Sequence, residues 1–506
     1  MNYAERHRFD PDARFDGGDL DCGNGLLLLI RQHIDPLQPG QLLEFTSTEI
    51  SVEEDFPAWC RMTGNELVSV TRRERERSFL VCKGPLAARA AVNRPARPVL
   101  ATPRAVVSVH ARTTLPQPAP VAPIAPLAVM GIGSWPRPRW MLAAIHDHIE
   151  GRLSEEDFAA TAEDATRLAV DAQVRAGVDV VTDGEQRRDN YASFVGSRLD
   201  NCQLIPLTDL LPLVDDPAKF EAEMRSLDVP ASEVRHPAVF GPLGRSRGLA
   251  TVELDAVRAL TDKPVKIALP GPYLLTRIMW MECISDRAYR SREHLAEDIV
   301  RVLREEIHAL LAAGAAVVQL DEPVLSEVVF TGAKNARSFM CGALSEKGDP
   351  AHELAFAAEL VNRVTAGLPT GRIGLHVCRG NWTRDEAAAL SGNYRPLLSL
   401  FQRLSVGMLF LELSTPRAGD ITILKDLPPT VRLGVGVVNQ KHEHVEAVAD
   451  IVARGRRAIG LLGPERVVLT PDCGFATFAD NPVASARVAE AKLRAISEAA
   501  AELRKG

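Results

Sequence analysis

The sequence predicts an α/β protein in which a small βαβαββ two-layer sandwich precedes a (β/α)8 barrel, and three patterns predict it. From residue 127 onward, short apolar runs alternate with long amphipathic stretches, giving eight strand signals. Most of these runs end in polar or turn-forming residues, the place where a parallel barrel collects its functional side chains. Ahead of them, residues 85–126 are rich in proline and set apart a front segment with strand and helix signals of its own. The predicted boundaries are therefore 1–84, 85–126 and 127–506.

In the front segment, residues 14–22 supply a strand and Gly23-Asn24-Gly25 turns the chain into an apolar helix over 26–34. Pro39-Gly40 introduces a strand over 42–47. A helical stretch over 52–63 and strands around 67–71 and 79–82 complete the βαβαββ order. The connecting stretch 84–126 holds nine prolines, five arginines and no acidic residue, the composition of an extended, semi-rigid spacer. The barrel strands are expected near 128–134, 178–185, 265–272, 317–323, 373–378, 409–412, 433–439 and 467–474. Helices are expected over 155–176, 291–313 and 350–366, the first started by Ser154 with Asp157 three residues on. The stretch 190–264 is too long for a simple connection and predicts an inserted subdomain or lid.

Composition narrows the function classes. With 46% hydrophobic and 25% charged residues the chain has ordinary globular composition, and 506 residues suffice for two or three cores. A net charge of −7 gives no electrostatic reason for nucleic acid as a partner. No apolar run reaches the roughly 18 residues that a membrane span needs. The charged first twelve residues lack the apolar core of a secretory signal, so a cytoplasmic location is expected. Eight irregularly spaced cysteines do not make a disulfide framework; a few are expected to bind metal or react, the rest to pack.

The chemistry centres on His376 and Cys378. Residues i and i+2 of a strand point to the same side, so an imidazole and a thiol leave this strand in parallel. Glu412 stands near the end of a later apolar run, and Cys473 just after another. One imidazole, two thiols and one carboxylate form a donor set that zinc (Zn2+) accepts in tetrahedral geometry. Convergence of such distant segments points to an enzyme site, not a zinc finger.

Two resemblances sharpen these expectations. Residues 127–485 resemble the catalytic half of cobalamin-independent methionine synthases, in the short form shared with the epoxyalkane:coenzyme M transferases. The matching motifs are Ile132-Gly133-Ser134-Trp135-Pro136-Arg137, Asp183-Gly184-Glu185, Gln319-Leu320-Asp321-Glu322-Pro323, His376-x-Cys378, Glu412 and Pro471-Asp472-Cys473-Gly474. The resemblance implies zinc on His376, Cys378, Glu412 and Cys473. It also implies an amino-acid thiol read by Ile132, Ser134, Glu185 and Asp321. As bland alternatives, Asp321-Glu322-Pro323 fits a helix cap, and Glu185 fits a surface acid paired with Arg187 or Arg188. In the full-length synthases a histidine protonates the departing folate; here Lys441 occupies that position, with His442 and His444 close by.

The front segment resembles the TusA/SirA sulfur-carrier family through Leu20-Asp21, Leu37-Gln38-Pro39-Gly40, Asp55-Phe56-Pro57-Ala58-Trp59-Cys60, Gly64-Asn65-Glu66-Leu67 and Phe79-Leu80-Val81-Cys82-Lys83-Gly84. It lacks that family's Cys-Pro-x-Pro motif. Cys22, just before the first helix, is the remaining candidate for a low-pKa thiol. Together these imply a thiol S-methyltransferase acting on homocysteine, with methyltetrahydrofolate or another methyl donor. A sulfur-carrier or other partner protein would meet the front domain. Alkylation of another thiol such as coenzyme M, or a non-catalytic thiol-binding adaptor, stays open at this point.

Overall fold

The computed structural model describes residue 3 and residues 6–73, 75–86, 106–149, 151–206, 235–330, 348–381, 384–386, 389–479 and 482–505. The chain divides into two compact units, 1–105 with 205–235, and 106–204 with 236–506.

The first unit contains β1 (Ala13–Asp16), β2 (Leu42–Ser47), β3 (Glu66–Arg73) and β4 (Glu76–Cys82), with helices Leu27–Ile34 and Val52–Thr63 between them. The sheet order is β1-β2-β4-β3; β1 runs parallel to β2, and the other pairs are antiparallel. Apolar residues spaced along both helices, among them Ile30, Ile34, Val52 and Phe56, bury against Leu43, Phe45, Phe79 and Val81. Phe45 stacks on Phe79 at 4.9 Å and meets Phe56 edge-on at 4.8 Å. Gly64, at φ 71° in the left-handed region, ends the second helix by donating its N–H to the Cys60 carbonyl.

Two expectations here need correction. The first strand stops at Asp16 instead of reaching Cys22, because the Asp16 carboxylate accepts from the Gly18 N–H at 2.8 Å and turns the chain. A β-carbon at Gly17 would overlap Leu26 and the Thr46 carbonyl, so the turn requires glycine there. Cys22 is also no activated thiol: it is buried, and that burial, with Asp55 and Asp21 nearby, pushes its pKa up to about 12.

The second unit is built on six parallel strands, β7 (Lys266–Pro270), β8 (Val317–Asp321), β9 (Ile373–Val377), β10 (Met408–Leu411), β11 (Arg432–Val438) and β12 (Val467–Pro471). They lie side by side in chain order. Parallel bridges Val129–Leu469, Met130–Val180 and Val181–Val265 lead from β12 back to β7 through two short segments. Nearly every residue of these strands is buried, as expected of parallel strands covered on both faces. Between them run helices Glu155–Arg175, Arg292–Ala312 and Pro350–Thr365, each capped by the residue before it: Ser154, Ser291 and Asp349 accept from Asp157, His294 and His352 N–H.

Residues 106–126 are tied to this unit: Ala119 N–H donates to the Leu311 carbonyl at 3.0 Å, and His308 Nδ1 bonds to the Pro116 carbonyl at 3.0 Å. Within the predicted insertion, β5 (Asp200–Pro206) and β6 (Arg235–Gly244) pair with each other; 207–234, the middle of the expected subdomain or lid, lie outside the described residues.

The strand ends come together because the interior beneath them is tightly filled. The Phe410 ring occupies the space beside two glycines, and a β-carbon at Gly374 or Gly434 would overlap it. Gly434→Ala is accordingly expected to cost about 1–3 kcal/mol through overpacking, read by urea denaturation; unchanged stability would show that the ring has room to move.

Candidate metal centre

Each predicted ligand stands at the C-terminal end of a strand, and four hydrogen bonds pull those ends together. Arg379 N–H donates to Glu412 Oε1 at 2.8 Å, joining the end of β9 to that of β10. Asp472 Oδ1 accepts from Leu413 N–H at 2.9 Å and Ser414 N–H at 3.0 Å, joining β12 to β10. Asn381 Nδ2 donates to the Gly474 carbonyl at 2.6 Å. As a result Cys378, Glu412 and Cys473 are all buried, with one donor atom of each within 4.8 Å of the others.

His376 joins them differently from the expected four-ligand cluster. It is not part of the close trio, and its Nδ1 is held at 2.9 Å by Asp321 Oδ1. Its Nε2 is buried and has no hydrogen-bond partner. Such an orphaned lone pair beside two thiols and a carboxylate is what an imidazole ligand presents before metal binds. The residues therefore fit zinc. In the metal-free protein, burial followed by the neighbouring Cys378 and Glu412 holds the Cys473 thiol well above its ordinary pKa.

A pocket opens beside these groups, and Ile132, Ser134, Glu185 and Asp321 line it together with His376, Cys378 and Cys473. Ser134 Oγ accepts from Ala476 N–H at 3.2 Å. Glu185 is not a surface acid: it is 3% exposed and sits at φ 55°, a left-handed conformation that is strained for this residue. Its Oε2 has no hydrogen-bond partner. Gly133 lies so close that a β-carbon there would overlap Glu185 Oε1. Glu322 caps not the next helix but the one after β7, Pro272–Met279: its carboxylate accepts from Tyr273 and Leu274 N–H, each at 2.8 Å. Asp321 is left facing the cavity.

Lys441 and His442 are not among the cavity-lining residues. Lys441 is buried, with its pKa lowered mainly by desolvation; His442 is more than half exposed, 3.4 Å from Glu386 Oε1. Arg417, which the sequence did not single out, reaches Glu412 Oε2 at 3.3 Å and also pairs with Glu386. Lys266 was missed as well. The available signal was a lone lysine inside the apolar run Val265-Lys266-Ile267-Ala268-Leu269, since a charge in a fully buried strand needs a purpose.

Burial pushes the Glu185 carboxyl up to about 8 against the pull of Arg188, from an ordinary 4.5. An acid raised in the folded state favours the protonated native form, so its contribution turns unfavourable as pH climbs from 4.5 to 8. Glu185→Gln should therefore gain stability relative to the parent across that window and level off above it, in denaturation curves taken at successive pH values. A constant difference would show that Glu185 ionises freely.

Residues 127–502 match the family model described as cobalamin-independent synthase, catalytic domain. The chain is 28% identical over 354 residues to a methionine synthase of Thermococcus kodakarensis, covering 70% of this chain and 87% of that one. It is 26% identical over 355 residues to a methionine synthase of Saccharolobus solfataricus, covering 70% and 89%. Among solved structures, a B12-independent methionine synthase from Shewanella sp. W3-18-1 in complex with selenomethionine shares the fold, with a TM-score of 0.57 at 21% identity, over 75% of this chain and 98% of that one. Residues 1–126 lie outside the family match. With its donor trio, its cavity and this match over residues 127–502, the chain belongs to the cobalamin-independent synthase catalytic-domain family.

Proposed function

We propose that the protein is a zinc-dependent thiol S-methyltransferase that methylates homocysteine to methionine, on a (β/α)8 barrel whose ring is closed through the segments at 128–130 and 180–181. The observation that carries this reading is the convergence of Cys378, Glu412 and Cys473 beside the unpaired His376 Nε2, at a pocket also lined by Ser134, Glu185 and Asp321. These four residues would hold the metal. Zinc, when bound, supplies the acidity that keeps a substrate thiol, ordinarily of pKa about 8.5, as a nucleophilic thiolate at neutral pH.

The remaining work falls to this chain's side chains. Glu185 and Asp321 receive the substrate ammonium, which draws the Glu185 proton off by supplying the missing countercharge. Ser134 and the adjoining backbone receive the carboxylate. Arg379 N–H and Arg417 hold the Glu412 carboxylate, which would be one of the metal's ligands. In the transfer the sulfur forms a bond to the methyl carbon as the bond from that carbon to the donor nitrogen of methyltetrahydrofolate breaks. The departing nitrogen needs a proton, which we assign to the Lys441 and His442 loop. The front unit is read as a docking module, since the buried Cys22 thiol is unsuited to carrying persulfide.

The test is incubation of purified protein with homocysteine and methyltetrahydrofolate or another methyl donor, followed by mass spectrometry of the products and zinc analysis of the protein. Methionine formation with one zinc per chain is expected. Thiol binding without transfer from any donor would favour an adaptor, and methylation or alkylation of coenzyme M alone would change the acceptor.

A further inference from the structure

We propose that Lys266 and Gln319 are positioning residues that fix the tautomer of His376, so that its Nε2 lone pair always faces the metal centre. Lys266 is completely buried on β7, with its Nζ 4.3 Å from the centre of the Phe410 ring. Nζ donates to Gln319 Oε1 at 2.6 Å, Gln319 Nε2 donates to Asp321 Oδ1 at 2.8 Å, and the same oxygen meets His376 Nδ1 at 2.9 Å.

The direction of this chain is set at its far end. An ammonium has donors and no acceptor, so the amide of Gln319 must turn its oxygen to Lys266 and its NH2 to Asp321. A carboxylate only accepts, so His376 must carry its proton on Nδ1. The lone pair then lies on Nε2, the atom left buried without a partner. In the opposite tautomer, Nδ1 and the carboxylate would face each other as two acceptors, and a buried Nε2–H would have no acceptor. An apolar residue at 266 would fill the space but would leave the amide free to rotate. Burying a lone charge is expensive: burial lowers the Lys266 pKa to about 7, against the pull of the nearby Asp321, Glu185 and Cys473.

This inference rests on the zinc reading of His376, and the experiment separates the two. In zinc-free protein with 15N-labelled histidine, long-range 1H–15N correlations report which ring nitrogen of His376 carries the proton. The unaltered protein is expected to show Nδ1–H. In Lys266→Met and Gln319→Leu the Nε2–H form should gain population, and zinc affinity measured against a competing chelator should fall about 10–100-fold, as for other loss of outer-shell support. Far-ultraviolet circular dichroism should stay unchanged. If Lys266→Met does not fold, Gln319→Leu alone decides. Parental tautomer and affinity in the folded variants would overturn the proposal, as would Nε2–H in the unaltered protein. Zinc content of the unaltered protein tests the metal centre on its own.

Discussion

Cys378→Ala and Cys473→Ala each lose more than about 100-fold in zinc affinity and with it methyl transfer, because removing a ligand exceeds the roughly 10–100-fold typical of an outer-shell change. Alanine is the informative substitution, since a serine oxygen could still approach the ion. Both thiols are buried, and without a cation burial and the neighbouring Cys378 and Glu412 disfavour the Cys473 thiolate. Without the metal, the alanine variants should therefore fold at least as well as the parent. The expected pattern is loss of zinc in elemental analysis after gel filtration, loss of product, and an undiminished metal-free thermal midpoint. A Cys473→Ala protein that keeps a full complement of zinc would remove Cys473 from the ligand set.

Glu253→Ala is expected to destabilise the protein by about 3–5 kcal/mol. Arg188 and Glu253 form a two-pronged pair deep in the second unit, with Nε to Oε1 at 3.0 Å and side-chain exposures of 1% and 2%. The guanidinium also donates to the Ala268 carbonyl at 2.9 Å and lies 4.2 Å from the centre of the Phe194 ring, so it cannot swing out to water. Deleting the carboxylate strands a charge. Asp183 offers partial relief: burial and Glu253 raise its pKa to about 7, and losing Glu253 lets it ionise beside Arg188. Glu297→Ala is the control. Its pair with Arg363 is exposed, with side chains 58% and 35% accessible, and such pairs contribute about 0–1 kcal/mol. Equal losses in urea denaturation of the two variants would show that burial of the Arg188 pair carries no special weight.

Much of the site was legible because a parallel strand announces itself as a short apolar run, and the residue closing the run is the one exposed at its C-terminal end. His376, Cys378, Glu412 and Cys473 could be picked out in this way, as could Ser134, Glu185 and Asp321. Lys266 escaped because its meaning depends on a neighbour 53 positions away in sequence. The end of β1 escaped because the Asp16 and Gly18 contact that breaks it is local chemistry that a run of residues 14–22 does not display.

The sequence by itself determined the periodicities, and hence the strands, the helices with their caps and the donor types suited to zinc. Those depend on residues close together along the chain. Only the tertiary structure decided that Glu185 is buried and strained, that Glu322 caps the helix after β7 and not the helix that follows it, and that His376 stands apart from the trio with Nδ1 tied to Asp321. The physical reason is that burial and hydrogen-bond direction belong to the surroundings of a side chain, and those surroundings come from strands far apart in the chain.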